Sequence, residues 1–168
     1  MQNIGIFYGS STGKTETAAK LIQAAFGEDI ASAIDVASAK SQDVEQFKNL
    51  IFGASTWGIG DLQDDFEDFL SDLSNTNLEG RKVAIFGLGD QEAFSDSFVD
   101  GVGEIYEQLG NKNCELIGGT SIEGYEYDAS RAEKDGQFVG LILDEENQSE
   151  MTDERVTQWV TQLKNQFN

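Results

Sequence analysis

Ile4-Gly5-Ile6-Phe7-Tyr8-Gly9-Ser10-Ser11-Thr12-Gly13-Lys14-Thr15 decides the reading of this chain. It opens as a short apolar strand over residues 3–8 and turns into a loop of glycine and hydroxyl residues. Beyond the loop, Ala18, Leu21, Ile22, Ala25 and Phe26 recur at helical spacing until Gly27. Small residues between a strand and a helix let the backbone wrap closely around a ligand. The amides at the helix start point at that ligand, and the dipole favours an anion there. The hydroxyls of Ser10, Thr12 and Thr15 add further donors. The plainer alternative is a polar turn capped by Thr12. A nucleotide-triphosphate loop, G-x-x-x-x-G-K-[ST], is missed by one residue, because Tyr8 stands where its first glycine belongs. Asp90 is the one arguable magnesium acid for such an enzyme.

Outward from this stretch the same unit repeats. Residues 29–36 read as a second strand and Leu50-Ile51-Phe52-Gly53-Ala54 as a third. Phe66, Phe69, Leu70 and Leu73 mark a helix. Residues 82–88 form another buried run, and Val102, Ile105, Tyr106 and Leu109 another helix. Leu116-Ile117-Gly118 opens a fifth strand, followed by a polar stretch holding an apolar segment at 138–143. Val156, Trp159, Val160, Leu163 and Phe167 share one face of the last helix, with Asp153 and Glu154 in its first turn. Continuous apolar strands alternating with helices predict a doubly wound α/β fold, a single domain over 1–168 with a parallel sheet covered on both faces. Ligands of such sheets bind at the carboxyl ends of the strands. The loops after Tyr8, Ala54 and Phe86 are therefore the expected site.

Composition narrows the chemistry. The chain has 168 residues, of which 31 are acidic and 11 basic, giving a formal net charge of −20. That charge repels nucleic acid and anionic lipid and steers the chain toward basic partners. The absence of histidine removes the commonest general base and metal ligand. A lone Cys114 excludes an internal disulfide and any cysteine cluster for zinc or iron–sulfur. No apolar run is long enough for a membrane span, and Met1-Gln2-Asn3 leads straight into the first strand without a signal-peptide pattern. A cytoplasmic, monomeric protein is expected.

Two aromatics fall outside the core pattern. Trp57 reads as lying in a glycine-rich loop, and Phe94 is stranded among Glu92, Ala93, Ser95 and Asp96. Aromatics on facing loops could sandwich a flat ring. Trp159 instead belongs to the apolar face of the last helix and reads as core.

Taken together these motifs resemble the flavodoxin family, and its long-chain group in particular. Ser10-Ser11-Thr12-Gly13-Lys14-Thr15 is similar to the family's phosphate loop, usually [ST]-x-T-G-x-T. Ala54-Ser55-Thr56-Trp57-Gly58-Ile59-Gly60 resembles its second flavin loop, and Phe86-Gly87-Leu88-Gly89-Asp90-Gln91 its third. Late in the chain, Phe138-Val139-Gly140-Leu141, Asp144-Glu145-Glu146-Asn147-Gln148 and the spacing Thr152, Arg155, Trp159 resemble the long-chain group. The resemblance implies a five-stranded sheet of order 2-1-3-4-5, a long-chain insertion within residues 120–143, and non-covalently bound FMN. The residues it implies for the cofactor are Ser10, Ser11, Thr12, Gly13, Lys14 and Thr15 in the first loop and Thr56, Trp57, Gly58, Ile59 and Gly60 in the second. In and beyond the third they are Leu88, Gly89, Asp90, Phe94, Ser97 and Asp100. Trp57 would cover one face of the isoalloxazine ring, the third loop the other, and the Gly58–Ile59 peptide would lie near the flavin N5. Phe94 stands where the family usually has tyrosine, Ser55 where proline is common, Gly58 where asparagine is frequent, and Leu88 where threonine is common. The family's usual tryptophan near Gly119-Thr120 is absent.

The function so implied is a low-potential one-electron carrier that works between the semiquinone and hydroquinone states of FMN. The residues agree, since no nucleophile–base pair is placed for a substrate reaction. Acids crowd both flanks of the expected site: Asp61, Asp64, Asp65, Glu67 and Asp68, then Asp90, Glu92, Asp96 and Asp100. A carboxylate about 12 Å from an anionic reduced flavin opposes it by roughly 1.4 kcal/mol at an effective dielectric of about 20, before screening. Two other readings use the same topology. A flavin-dependent quinone reductase needs an open site and usually an obligate dimer, and a signalling receiver needs acids where Gly9-Ser10-Ser11 stand. The partners that the resemblance implies are a ferredoxin–NADP reductase-like flavoprotein on one side and photosystem I, nitrogenase or a similar acceptor on the other.

Overall fold

The computed structural model describes residues 3–57 and 60–167. Among the described residues, ten strands and four α-helices follow one another. The central sheet uses β1 (Ile4–Gly9), β2 (Ala31–Asp35), β3 (Asn49–Trp57) and β5 (Lys82–Leu88). They lie side by side in the order β2-β1-β3-β5, all parallel. The fifth position is shared by two short strands on the free edge of β5. β6 (Glu115–Ile117) pairs with its first half, Lys82 to Ala84, and β10 (Leu141–Leu143) with its second half, Phe86 to Leu88. Counted as one interrupted strand, they complete the expected 2-1-3-4-5 order. The short β4 (Asp61–Leu62) folds back antiparallel on the end of β3.

Alternation along the strands divides the core into two layers. Phe7, Leu50, Phe52, Val83 and Ile85 face α2 (Asp64–Asp72) and α3 (Asp100–Leu109), meeting Phe66, Phe69, Val102 and Ile105. Ile4, Ile6, Ile51, Ala84 and Phe86 face α1 (Lys14–Phe26) and α4 (Thr152–Gln166), meeting Ala18, Ile22, Trp159 and Leu163. Both faces of β1, β3 and β5 are therefore dry along their apolar runs, which is why these strands read as continuous apolar runs. Gly53 is the tightest point. A Cβ there would stand 2.0 Å from the Phe86 ring, so only glycine lets that ring cross the strand. Trp159 is core, as its helical stripe indicates, and its indole N–H donates to the Gly118 carbonyl at 2.8 Å.

Residues 118–140 form the insertion between the two halves of the fifth strand. They carry a small antiparallel sheet in the order β7-β9-β8, from β7 (Thr120–Ser121), β8 (Glu133–Lys134) and β9 (Gln137–Phe138). Its own core is aromatic: Tyr125 and Phe138 meet edge-on at 5.1 Å, and Tyr127 lies 5.4 Å from Phe98. The Arg155 guanidinium of α4 sits 4.1 Å over the Tyr125 ring. On the α3 side, Glu107 pairs with Arg131 at 2.7 Å and Lys134 at 3.3 Å. A Cβ on Gly103 would meet the Arg131 backbone at 2.5 Å, so α3 and the insertion touch main chain to helix.

Candidate functional site

The carboxyl ends of β1, β3, β5 and β10 converge on one cleft of about 360 Å³. That lies in the ~300–1,000 Å³ range of small-molecule sites. Its walls are Thr12 and Lys14, then Ser55, Thr56 and Trp57, then Leu88, Gly89, Asp90 and Phe94, and finally Glu145 and Glu146. Trp57 and Phe94 are 41% and 42% exposed, whereas the other large apolar side chains among the described residues, apart from Ile30, are sheltered. Two aromatic rings from different strand ends thus stay in water beside one concavity, where a planar apolar ligand would cover both.

The first loop closes on itself. The Ser10 hydroxyl accepts the Gly13 N–H at 3.0 Å, and Gly13 takes a left-handed conformation with φ of 91°. No side chain caps α1. Thr12 therefore does not serve as the helix cap, the plainer role open to it in the sequence; it lines the cleft instead. An uncapped helix start preceded by hydroxyls fits an anion. Thr15 is buried, its hydroxyl 2.6 Å from that of Ser55, so it ties the first loop to β3 rather than facing the cleft. Ser11 is held from the other side by the Gln63 amide at 3.0 Å. Gln63 is itself buried, and its carbonyl oxygen accepts the Phe66 N–H at the start of α2.

Trp57 does not lie in a loop. It is the last residue of β3, paired with Asp61 of β4, because the strand runs on beyond its apolar core through Ser55 and Thr56. The hairpin so formed fixes the indole at the mouth of the cleft. Gly58 and Ile59 lie outside the described residues. Gly60 has a φ of 89° and rests against Asp100 and Ser97.

Asp90 starts the third wall. Its Oδ1 accepts the N–H groups of Glu92 at 3.1 Å and Ala93 at 2.9 Å, and the side-chain amide of Asn147 at 2.8 Å. Burial pushes this carboxyl up. The Ala93 N–H, the Asn147 amide, the Glu92 N–H and the Lys14 charge outweigh that and hold it below the ordinary carboxylate range. Lys14 forms an ion pair with Glu146, which raises the lysine above its usual value.

The structure thus gathers Thr12, Lys14, Thr56, Trp57, Leu88, Gly89, Asp90 and Phe94 of the expected set on one cleft. Ser10, Ser11, Gly13 and Thr15 shape the first loop from behind. Ser97 and Asp100 are not on the wall: Ser97 is buried, and the Asp100 carboxylate accepts the Arg131 N–H of the insertion at 2.8 Å. Three wall residues lie outside that set, Ser55, Glu145 and Glu146. The rule that ligands sit beyond the carboxyl ends of parallel strands points to the last two, which follow β10 directly. Asp61, Asp64, Asp65, Glu67, Asp68, Glu92 and Asp96 are exposed, with Asp61 paired to Trp57 and Glu92 and Asp96 on either side of Phe94 in sequence, whereas Asp90 and Asp100 are half-buried and hydrogen-bonded. Among the described residues no group of histidine, cysteine or acidic side chains is placed to hold a metal, and no helix is long and apolar enough to cross a membrane.

Comparison with known proteins agrees with this geometry. The family model described as Flavodoxin matches residues 6–159. A flavodoxin of Nostoc sp. is 43% identical over 166 residues, covering 99% of this chain and 98% of the relative. One of Synechococcus elongatus is 44% identical over 168 residues, with 99% of each covered. Among solved structures, Fusobacterium nucleatum flavodoxin bound to flavin mononucleotide superposes with a TM-score of 0.94 at 33% identity, covering 100% of both chains.

Proposed function

This chain belongs to the flavodoxin family, and from that premise we infer that it is a one-electron carrier holding FMN in the cleft between Trp57 and Phe94. The observation that carries the site assignment is the pair of exposed aromatics on a cleft whose far end is an uncapped helix start with Thr12 and Lys14. A flat ring and an anionic tail joined by a polyol match those two ends. The insertion that divides the fifth strand supports reading the chain as a member of the long-chain group.

When bound, FMN supplies the one-electron redox chemistry. The protein binds, shields and biases it. The first loop and the start of α1 hold the phosphate. Trp57 and Phe94 cover the ring and keep water away from it. The exposed acids of α2 and of residues 92–96 oppose added negative charge in the cleft, so they disfavour the fully reduced, anionic state. No histidine and no nucleophile–base pair stands in the cleft for turning over a substrate. The same acids suit docking to redox proteins with basic surfaces. We assign a ferredoxin–NADP reductase-like flavoprotein to one side of the electron path and photosystem I, nitrogenase or a similar acceptor to the other. A monomer working in the cytoplasm fits that role.

Titrating the apoprotein with FMN and with riboflavin tests the assignment through quenching of flavin fluorescence. Tight uptake of FMN, with riboflavin bound more weakly, is expected. Equal affinity for the two would remove the phosphate from the first loop.

A further inference from the structure

Asp144 is a fully buried carboxylate at the end of β10, and no cation approaches it among the described hydrogen bonds and ion pairs. It is instead surrounded by N–H donors. Oδ2 accepts the backbone N–H of Gln91 at 3.1 Å, its side-chain amide at 2.7 Å, and the Asn147 amide at 2.9 Å. Oδ1 accepts the backbone N–H groups of Glu146 and Asn147, both at 3.1 Å. A buried charge is stable only when so solvated by fixed dipoles.

The Asn147 amide also donates to Asp90 Oδ1 at 2.8 Å. That oxygen accepts the Glu92 and Ala93 N–H groups, and the Asp90 carbonyl accepts the Phe94 N–H at 3.0 Å. An unbroken chain of hydrogen bonds therefore runs from the buried Asp144, through one amide, to the turn that presents the Phe94 ring. Asn147 itself does not line the cleft.

We propose that Asn147, anchored by Asp144, is a positioning residue that sets the third loop so that Phe94 meets the flavin ring. This rests on the reading of the cleft as the FMN site. Without the amide, Asp90 loses the one side-chain donor it has among the described residues, and the turn meets β10 and the residue after it through the Gly89 N–H to the Leu143 carbonyl and through Gln91 to Asp144. The ring of Phe94 packs into neither core layer, so its place follows this turn, which the Phe94 N–H to Asp90 and Ser97 N–H to Phe94 bonds hold from within and the Asn147 amide ties to Asp144.

The test compares wild type, Asn147→Ala, Phe94→Ala and the double variant, each titrated as apoprotein with FMN and with riboflavin. Asn147→Ala is expected to lower affinity for both flavins by the same factor, on the order of tenfold, as for one hydrogen bond to a charged group. In the Phe94→Ala background the same change should cost less than about twofold, because the element it positions is gone. Where truncation impairs folding, the isosteric Asn147→Asp takes its place, setting a third carboxylate against Asp90 and Asp144; the same pattern with a larger loss is expected. Unchanged affinity, a loss confined to FMN, or an equal loss with and without the Phe94 ring each overturns the proposal. A wild-type protein that takes up neither flavin refutes the FMN reading itself, and this one with it.

Discussion

Replacing Phe94 with alanine separates binding from folding more cleanly than any other change at the cleft. The ring is 42% exposed and belongs to neither core layer, while the backbone around it is pinned by the Phe94 N–H to Asp90 and the Ser97 N–H to Phe94. Those two bonds survive the substitution. Stability of the apoprotein should therefore change by no more than about 0.5 kcal/mol. Affinity should change far more. Stacking of a flat heteroaromatic ring on an aromatic side chain contributes about 1–3 kcal/mol. Phe94→Ala should thus weaken flavin binding roughly five- to 140-fold. The loss should be the same for FMN and riboflavin, since the ring and not the phosphate is the partner, and Phe94→Tyr should bind like wild type. Fluorescence-quenching titrations give the affinities, and urea unfolding of the apoprotein gives the stability. An affinity loss below about twofold, or a stability loss matching the binding loss, would refute the account of Phe94 as an exposed stacking wall.

Thr12→Val should weaken FMN while leaving riboflavin nearly unchanged, read in the same titration, because Thr12 lies at the uncapped start of α1. Gln63→Ala removes a buried amide that caps α2 and holds Ser11; urea melts should show a loss of about 1–3 kcal/mol, with FMN weakened more than riboflavin. The Asp90 carboxyl is held below its ordinary value in the folded protein, so it stabilises the third loop above the unfolded pKa near ~4, and that contribution is lost as pH falls through the lower folded value. Flavin affinity measured from pH 6 downward should accordingly hold at first and then drop, and Asn147→Ala should move the drop to higher pH. Electron transfer to a basic redox partner should slow as salt is raised, measured by stopped flow, since a net charge of −20 is screened over about 10 Å at 0.1 M.

The fold was legible because its signals are local. β1, β3 and β5 are apolar runs each followed by a helix stripe, and Gly27 marks the end of α1 with a φ of 107°. Burial of both sheet faces follows from strands such as Leu50-Ile51-Phe52, which feed alternate core layers. The loop between β1 and α1 was legible for the same reason. What pattern alone could not show is contact between distant residues. Gln63 meets Ser11 across 52 positions and Gln91 meets Asp144 across 53, and no periodicity links such pairs. Trp57 was misplaced because β3 outruns its apolar core: Ser55 and Thr56 are polar, yet pairing of Ser55 with β5 and of Thr56 with β4 keeps them extended. Asp100 is implied for the cofactor by resemblance, and no pattern links it to the insertion, whose Arg131 N–H its carboxylate accepts across 31 positions.

Potentiometric titration of the FMN-loaded protein, followed by its visible spectrum, tests the central claim most directly. An aromatic-walled cleft flanked by exposed acids predicts two well-separated one-electron steps, with the second far more negative than that of free FMN. A single two-electron step at the potential of free FMN, or failure to retain FMN at all, would contradict it.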